Sequence, residues 1–256
     1  RLGIKVDNYY ASEIDKYAAE SYKKNFPNDS HNPLNDITKC DEKALSDFNV
    51  LLAGFPCQAF SIAGRRGGFD DTRGTLFFEV ARIIKEKQPD VFLLENVKGL
   101  VNHKGGKTLS TILNVLKNDL GYESTQFRVL NAKHFGVPQN RERIYIVGFK
   151  NGGGNFKYPE NKTVDTCLHN ILEENLVDDK FYVSERGMLG MKVHKERHKN
   201  KGNGFGYEIK ELEDIANAIV IGGMGKERNL VKDVRILDRI SNSTKEINSD
   251  CIRRMT

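Results

Sequence analysis

No run of apolar residues in this 256-residue chain approaches the roughly 18 to 20 that a bilayer-spanning helix needs. Its first residues also lack the basic, apolar and small-residue succession of a secretory signal. These two absences make a cytoplasmic protein without a membrane partner the default expectation. Metal chemistry has little to draw on either. The cysteines Cys40, Cys57, Cys167 and Cys251 lie far apart, with no Cys-x-x-Cys pair and no histidine at ligand spacing. No metal is therefore expected, and in a reducing compartment each thiol is by default a small core residue. A strong charge of one sign is missing too: 40 basic against 35 acidic residues leave a formal +5, which excludes no class of partner.

What is present is enough for a globule. Hydrophobic residues make up 38% of the chain, sufficient for a core in one large domain or a domain with a smaller lobe. The runs Val50 to Ala53, Val91 to Leu94, Phe127 to Leu130 and Ile144 to Phe149 read as strands buried on both faces. Between them, Leu76, Phe77, Val80, Ile83 and Ile84 recur at helical spacing, as do Leu109, Ile112, Leu113, Leu116 and Leu120 before Gly121. Such alternation predicts an α/β fold with an open, mainly parallel sheet, whose ligands bind beyond the carboxyl ends of the strands. After Phe149 the sequence turns glycine-rich and irregular, which places a boundary near residue 150. Residues 1–150 then form the main domain, and residues 151–256 a smaller irregular or β-rich lobe. Within that lobe, Lys192, His194, Lys195, Arg197, His198, Lys199 and Lys201 crowd together with one acid, Glu196. A solvated charged face explains this cluster as well as a polyanion site does.

Three stretches carry chemistry. Gly54-Phe55-Pro56-Cys57-Gln58 follows a strand directly, so Cys57 sits on a loop at its carboxyl end, ahead of Gly64, Arg65, Arg66, Gly67 and Gly68. An inert cysteine on an ordinary turn fits equally well at this point. Glu95-Asn96 ends the next strand, which brings a carboxylate to the same edge; a surface acid or a helix cap is the plainer explanation. Gln139, Arg141 and Arg143 alternate just before the last strand, and two guanidiniums on one face of an extended segment invite an anion or a carbonyl oxygen. An exposed edge with unremarkable charges remains the alternative.

Taken jointly, Pro56-Cys57-Gln58, Glu95-Asn96-Val97 and Gln139-x-Arg141-x-Arg143 resemble the core motifs of the C5 cytosine DNA methyltransferases of bacterial restriction-modification type. Ser12-Glu13-Ile14-Asp15, Asn35-Asp36-Ile37-Thr38, Asp71 to Phe77 and Arg253-Arg254-Met255-Thr256 resemble further segments of that family. The resemblance implies a Rossmann-like sheet that uses S-adenosylmethionine, with a target-recognition lobe at about residues 155–250. Cys57 would add as thiolate to C6 of a flipped cytosine, Glu95 would have to carry a proton to serve N3, Arg143 would hold O2, and Arg141 would steady the catalytic loop and the DNA backbone. Glu13, Ile14, Asp36, Ile37, Phe55 and Leu76 would line the cofactor. Gln58, Ser61, Arg65, Gln139, Arg141, Lys195, Arg197 and Lys226 would meet double-stranded DNA.

The partners expected are double-stranded DNA and, in the same system but not in complex, a cognate restriction endonuclease; the enzyme itself would be a monomer. The family's glycine-rich first turn would precede Arg1 and its closing segment would follow Thr256, so the chain reads as part of a longer protein. Two other functions are open at this stage. One is an RNA-directed member of the same fold, although that branch's Cys-Phe-Thr signature is absent. The other is a catalytically silent DNA-binding protein. A cysteine hydrolase would need a histidine base in a recognisable setting, and none of the six histidines has one.

Overall fold

The computed structural model describes residue 6 and residues 9–28, 32–56, 76–163, 165–219, 227–237 and 246–255. By its contacts the chain forms two compact units, Arg1–Val129 with Arg143–Tyr158, and Leu130–Glu142 with Pro159–Thr256. In chain order the strands are β1 (Tyr10–Ala11), β2 (Asn32–Pro33), β3 (Val50–Gly54), β4 (Val91–Val97), β5 (Gln126–Asn131), β6 (Gln139–Asn140), β7 (Glu142–Phe149), β8 (Ile209–Lys210), β9 (Ala216–Asn217), β10 (Leu230–Lys232) and β11 (Ile252–Arg254). The α-helices are α1 (Lys16–Asn25), α2 (Leu76–Lys87), α3 (Lys107–Asn114) and α4 (Glu185–Asn200). None of the described helices is long and apolar enough to cross a membrane.

The main sheet runs β3-β4-β7-β5. β3 is parallel to β4, from Val50 beside Val91 to Gly54 beside Glu95. β7 is antiparallel to β4, from Val91 opposite Phe149 to Val97 opposite Arg143. The sheet is thus mixed, a correction to the mainly parallel sheet that strand and helix alternation suggests. Connection length explains it. Only residues 132–141 separate β5 from β7, less than the dozen or so that a helical crossover to a parallel strand requires.

Burial also departs from expectation. Phe92, Leu94 and Asn96 of β4 and Ile144 and Ile146 of β7 are buried, but β3 leaves Val50 and Leu52 largely exposed and β5 does the same with Phe127. β3 and β5 are the outer strands of this sheet among the described residues, so each has a neighbour on one flank alone.

Helix α2 buries Phe77, Val80, Ala81 and Ile84, and α3 buries Leu109 and Ile112; both pack on Phe92, Leu94, Ile144 and Ile146 in one core. The second helix does not run evenly to Leu120. It widens into a π-helical stretch, Val115–Asp119, before Gly121 turns the chain at φ +82°. Gly148 of β7 lies opposite Phe92, and a Cβ there would run into the Phe92 ring and stand 2.8 Å from Thr125 Oγ1.

The second unit is assembled from short pieces. β10 pairs with β8 in parallel and with β11 antiparallel, while β6 pairs with β9. Among the described residues its apolar side chains gather in three small clusters, centred on Met188 and Met191, on Tyr182 and Ile236, and on Leu168 and Val231. Inside it Arg253, 1% exposed, donates from Nε to Asp233 Oδ2 at 2.8 Å, and Arg235 reaches the same carboxylate at 2.6 Å.

The sequence did not announce α4, whose two glycines and weak amphipathic pattern hide it. Its signal lies in the ends. Ser184 caps it by accepting from Gly187 N at 3.1 Å, Glu185 opens the first turn, and Arg197, His198 and Lys199 close the last, all favourable to the helix dipole.

Candidate active site

The carboxyl end of β4 collects the chemistry. Glu95 and Val97 share a face of β4, and the register sets Tyr145 opposite Glu95 and Arg143 opposite Val97. Arg143 is therefore the diagonal cross-strand neighbour of Glu95, a spacing that long side chains bridge. They do so here: Arg143 Nε donates to Glu95 Oε1 at 2.8 Å, with Arg143 17% and Glu95 38% exposed in their side chains. A half-open pair like this contributes about 0 to 1 kcal/mol to stability, so its consequence is orientation.

The other carboxylate oxygen lies toward β3. Gly54 is the partner of Glu95 in the parallel ladder, and a Cβ added at Gly54 would sit 3.5 Å from Glu95 Oε2. Cys57 follows Gly54 by three residues, but it and the rest of residues 57–75, including Gln58, Ser61 and Arg65, lie outside the described residues.

What leads into that segment is held firmly. Phe55 is 5% exposed and its ring stacks on Phe77 at 5.4 Å between centroids. Its carbonyl accepts from Asn96 Nδ2 at 2.7 Å, and Asn96 Oδ1 takes the Val97 N–H at 2.8 Å. Asn96 is 3% exposed, so it anchors the backbone two residues before Cys57 from inside the core. Sequence reasoning assigned Asn96 no role. The available signal was a polar residue on the core-facing alternation Phe92, Leu94, Asn96.

The arginine motif is not one extended segment. Arg141 N donates to Gln139 O at 2.9 Å, a turn of three residues, and to Asn131 Oδ1 at 3.1 Å. Gln139 is paired to Ala216 through β6 and β9, whereas Arg143 is paired to Val97. The expectation that Gln139, Arg141 and Arg143 alternate along one strand is corrected accordingly. The chain turns at Arg141 because the two ends of the motif answer to different ladders.

A second group of acids lies where the first two strands end. β1 and β2 run parallel, Tyr10 beside Asn32 and Ala11 beside Pro33, and Ser12 Oγ donates to Asn35 O at 2.8 Å. Glu13-Ile14 and Asp36-Ile37 thus leave the same end of two adjacent strands. Glu13 Oε1 accepts from Asp15 N at 2.8 Å, and Ile14 is 74% exposed. Asp36 Oδ1 accepts from Thr38 Oγ1 and N at 2.7 and 3.0 Å, bonds that hold its carboxyl below the usual range. Ile37 packs on the core, and Leu76 opens α2 at 38% exposure.

Of the basic residues expected to meet DNA in the lobe, Lys195 and Arg197 are exposed on α4. Lys195 Nζ is engaged, donating to Tyr207 O at 3.1 Å and standing 4.6 Å over the Tyr207 ring. Lys226 lies outside the described residues. A cavity of about 450 Å³ in this unit is lined by Ser184, Gly187, Gly190, Met191, His194 and Arg254, among others.

The fold places the chain in a class. A Dnmt2 variant from Spodoptera frugiperda superposes with a TM-score of 0.67 over 99% of this chain and 80% of its own, at 21% identity. The Dnmt2 methyltransferase of S. pombe gives 0.61 over 100% and 76%, at 16% identity. At such identities the likeness speaks for the architecture, a mixed α/β sheet of the methyltransferase type.

The sequence places it more narrowly. The family described as C-5 cytosine-specific DNA methylase matches residues 2–256. The type II methyltransferase M.HpaII of Haemophilus parainfluenzae is 54% identical over 253 residues, 96% of this chain and 70% of that protein. M1.ScrFI of Lactococcus lactis subsp. cremoris is 51% identical over 82% of this chain and 54% of its own length, and M.SsoII of Shigella sonnei 46% over 82% and 56%. The chain belongs to the C-5 cytosine-specific DNA methylase family. It spans between about half and 70% of the length of these relatives.

Proposed function

We propose that the full-length protein methylates C5 of cytosine in double-stranded DNA, with Cys57 as nucleophile and Glu95 and Arg143 holding the flipped base. The observation that carries this reading is the Glu95 to Arg143 pair at the end of β4, one strand away from Gly54. Three residues of extended chain reach at most about 11 Å, so the chain length from Gly54 allows the thiol of Cys57 to come to the carboxyl. Cytosine in a duplex is out of reach of any such group, which requires the base to be turned out of the stack.

The roles follow from the atoms. The Cys57 thiolate adds to C6 and makes C5 nucleophilic. Glu95, steadied through Oε1 by Arg143, serves ring N3 through Oε2, which must carry the proton while the base is bound. Arg143 serves O2 from the same strand end. After methylation a base removes the C5 proton and the Cys57 thiolate departs, restoring the aromatic ring and the free enzyme. Asn96 holds the Phe55 carbonyl and so fixes the backbone two residues before Cys57.

S-adenosylmethionine fits the acids at the ends of β1 and β2. Carboxylates of Glu13 and Asp36 are acceptors suited to ribose hydroxyls and an exocyclic amino group, and Ile14, Ile37 and Leu76 supply apolar surface for a purine. When bound it supplies an electrophilic methyl group. Phe55 contributes through its backbone, since its ring is committed to the core. Gln58, Ser61, Arg65, Gln139, Arg141, Lys195, Arg197 and Lys226 are proposed to contact the duplex, Lys195 by leaving Tyr207. A monomer acting in a bacterial cytoplasm beside a cognate endonuclease completes the reading.

A trap tests it. Duplex DNA carrying 5-fluorocytosine blocks proton loss from C5, so with S-adenosylmethionine the full-length protein should stay covalently attached and Cys57→Ala should not. A Cys57→Ala protein that still forms the adduct, or a wild type that traps on duplex RNA in preference to DNA, would overturn the proposal.

A further inference from the structure

Residues 34–49 include the Asp36 turn but contribute no strand to either sheet of the first unit. Two single turns of 3-10 helix, Ile37–Lys39 and Glu42–Ala44, fill much of it. The first is closed by local bonds, Lys39 N to Asp36 O at 3.0 Å and Cys40 N to Ile37 O at 3.3 Å. The segment's backbone is tied to strands at its two ends, Leu34 N to Ala11 O at 2.7 Å and Val91 N to Asn49 O at 3.1 Å, and between them side chains hold it in place.

One side chain from outside reaches it at several points. Arg82, on the middle of α2 and 20% exposed, donates from Nη2 to the Ile37 carbonyl at 2.6 Å, from Nη1 to the Glu42 carboxylate, and from Nε to Glu79 Oε2 at 2.6 Å. Both carboxylates are themselves mostly covered, at 26% and 22% exposure. Burial works against the charge of Arg82, yet Glu79 and Glu42 carry its pKa above the ordinary value. The three N–H directions of one planar fork are thus spent on its own helix, on the first 3-10 turn and on the second, a distribution that a lysine cannot reproduce.

The Ile37 carbonyl is adjacent to Asp36 in the chain. Whatever fixes that carbonyl fixes where the Asp36 carboxylate and the Ile37 side chain stand relative to the rigid α2. We propose that Arg82 is a positioning residue for cofactor binding, a clamp that holds the Asp36-Ile37 turn on α2 without touching the cofactor. This rests on the reading of Asp36 and Ile37 as cofactor contacts.

The measurement is calorimetric binding of S-adenosylhomocysteine to the full-length protein, alongside methyl-transfer kinetics with S-adenosylmethionine. Arg82→Lys should weaken binding roughly five- to tenfold, the scale of one ordinary hydrogen bond lost. The KM for S-adenosylmethionine should rise in step, with kcat at saturation within about twofold and DNA affinity unchanged. Glu42→Gln, which removes one leg of the clamp and leaves the Ile37 bond, should weaken binding by a smaller factor and show the same KM pattern.

Asp36→Ala separates the two levels of the argument. If it weakens S-adenosylhomocysteine binding while Arg82→Lys and Glu42→Gln leave it alone, the clamp is wrong and the cofactor reading stands. If Asp36→Ala binds like wild type, the cofactor reading fails and the clamp with it. A fall in kcat with unchanged KM, or a general loss of folded protein in both Arg82→Lys and Glu42→Gln, would mean a purely structural arginine and also overturn the proposal.

Discussion

The carboxyl of Glu95 is asked to do two things with two oxygens. Oε1 is bound to Arg143 and Oε2 faces Gly54, so replacing the acid by its amide keeps the shape but removes the proton that the proposed mechanism gives to N3. Glu95→Gln should lower kcat/KM by roughly 10² to 10⁴, the range for a general acid, with duplex affinity nearly intact. Steady-state methylation of a short duplex measures it, and a change under threefold would remove Glu95 from the mechanism. Asn96 acts one step back. Asn96→Ala leaves the buried Phe55 carbonyl without its donor, at about 1 to 3 kcal/mol, and should also slow covalent trapping on 5-fluorocytosine DNA, because the backbone two residues before Cys57 loses its anchor. If stability falls but trapping does not slow, Asn96 is a core residue only.

Among the elements, β7 shows how closely the sheet is fitted. Phe92 lies across Gly148, and Gly148→Ala should destabilise the protein by about 1 to 3 kcal/mol through overpacking, read as a lower denaturation midpoint with an unchanged slope. A variant of wild-type stability would show that the ring swings aside without cost. Helix α4 offers a contrasting test. Arg197 is exposed there and belongs to the basic cluster. A contact from it to a DNA phosphate predicts that Arg197→Ala reduces the slope of log affinity against log salt by about 0.9 while leaving sequence preference unchanged. An unaltered slope would assign Arg197 to the solvated face of the helix.

At the scale of the whole molecule, the second unit sets a buried ion pair, Arg253 to Asp233, beside its small apolar clusters. Hydrogen bonds from Arg235 hold the buried Asp233 carboxyl down at about 2, with Arg253 assisting against the burial penalty. A carboxyl whose folded pKa lies below its unfolded value near 3.8 adds stability that is complete above about pH 5 and is lost as pH falls toward 2, up to about 2 kcal/mol. Protection factors of the β10 amides, taken relative to intrinsic exchange at each pH, should therefore fall through that window. Asp233→Asn should flatten the dependence at the cost of lower protection at neutral pH. Equal acid sensitivity in the variant would locate the titration elsewhere.

The strands Val50 to Ala53, Val91 to Leu94 and Ile144 to Phe149 and the helix after Thr75 were legible because apolar periodicity is a local property that the chain carries wherever it folds. The family, too, was legible, since short motifs in fixed order survive without any knowledge of contacts. Tertiary structure alone decided the antiparallel course of β7, the turn at Arg141, the exposed face of β3 and the wide turn after Asn114. Each depends on which neighbour a segment meets, and periodicity does not encode neighbours. The same holds for Asn96, whose amide finds the Phe55 carbonyl 41 residues away in sequence, and for Arg82, which joins three segments through one guanidinium. Which residues stand at a strand end is written in the chain; which atoms they hold there follows from the register of the ladder beside them.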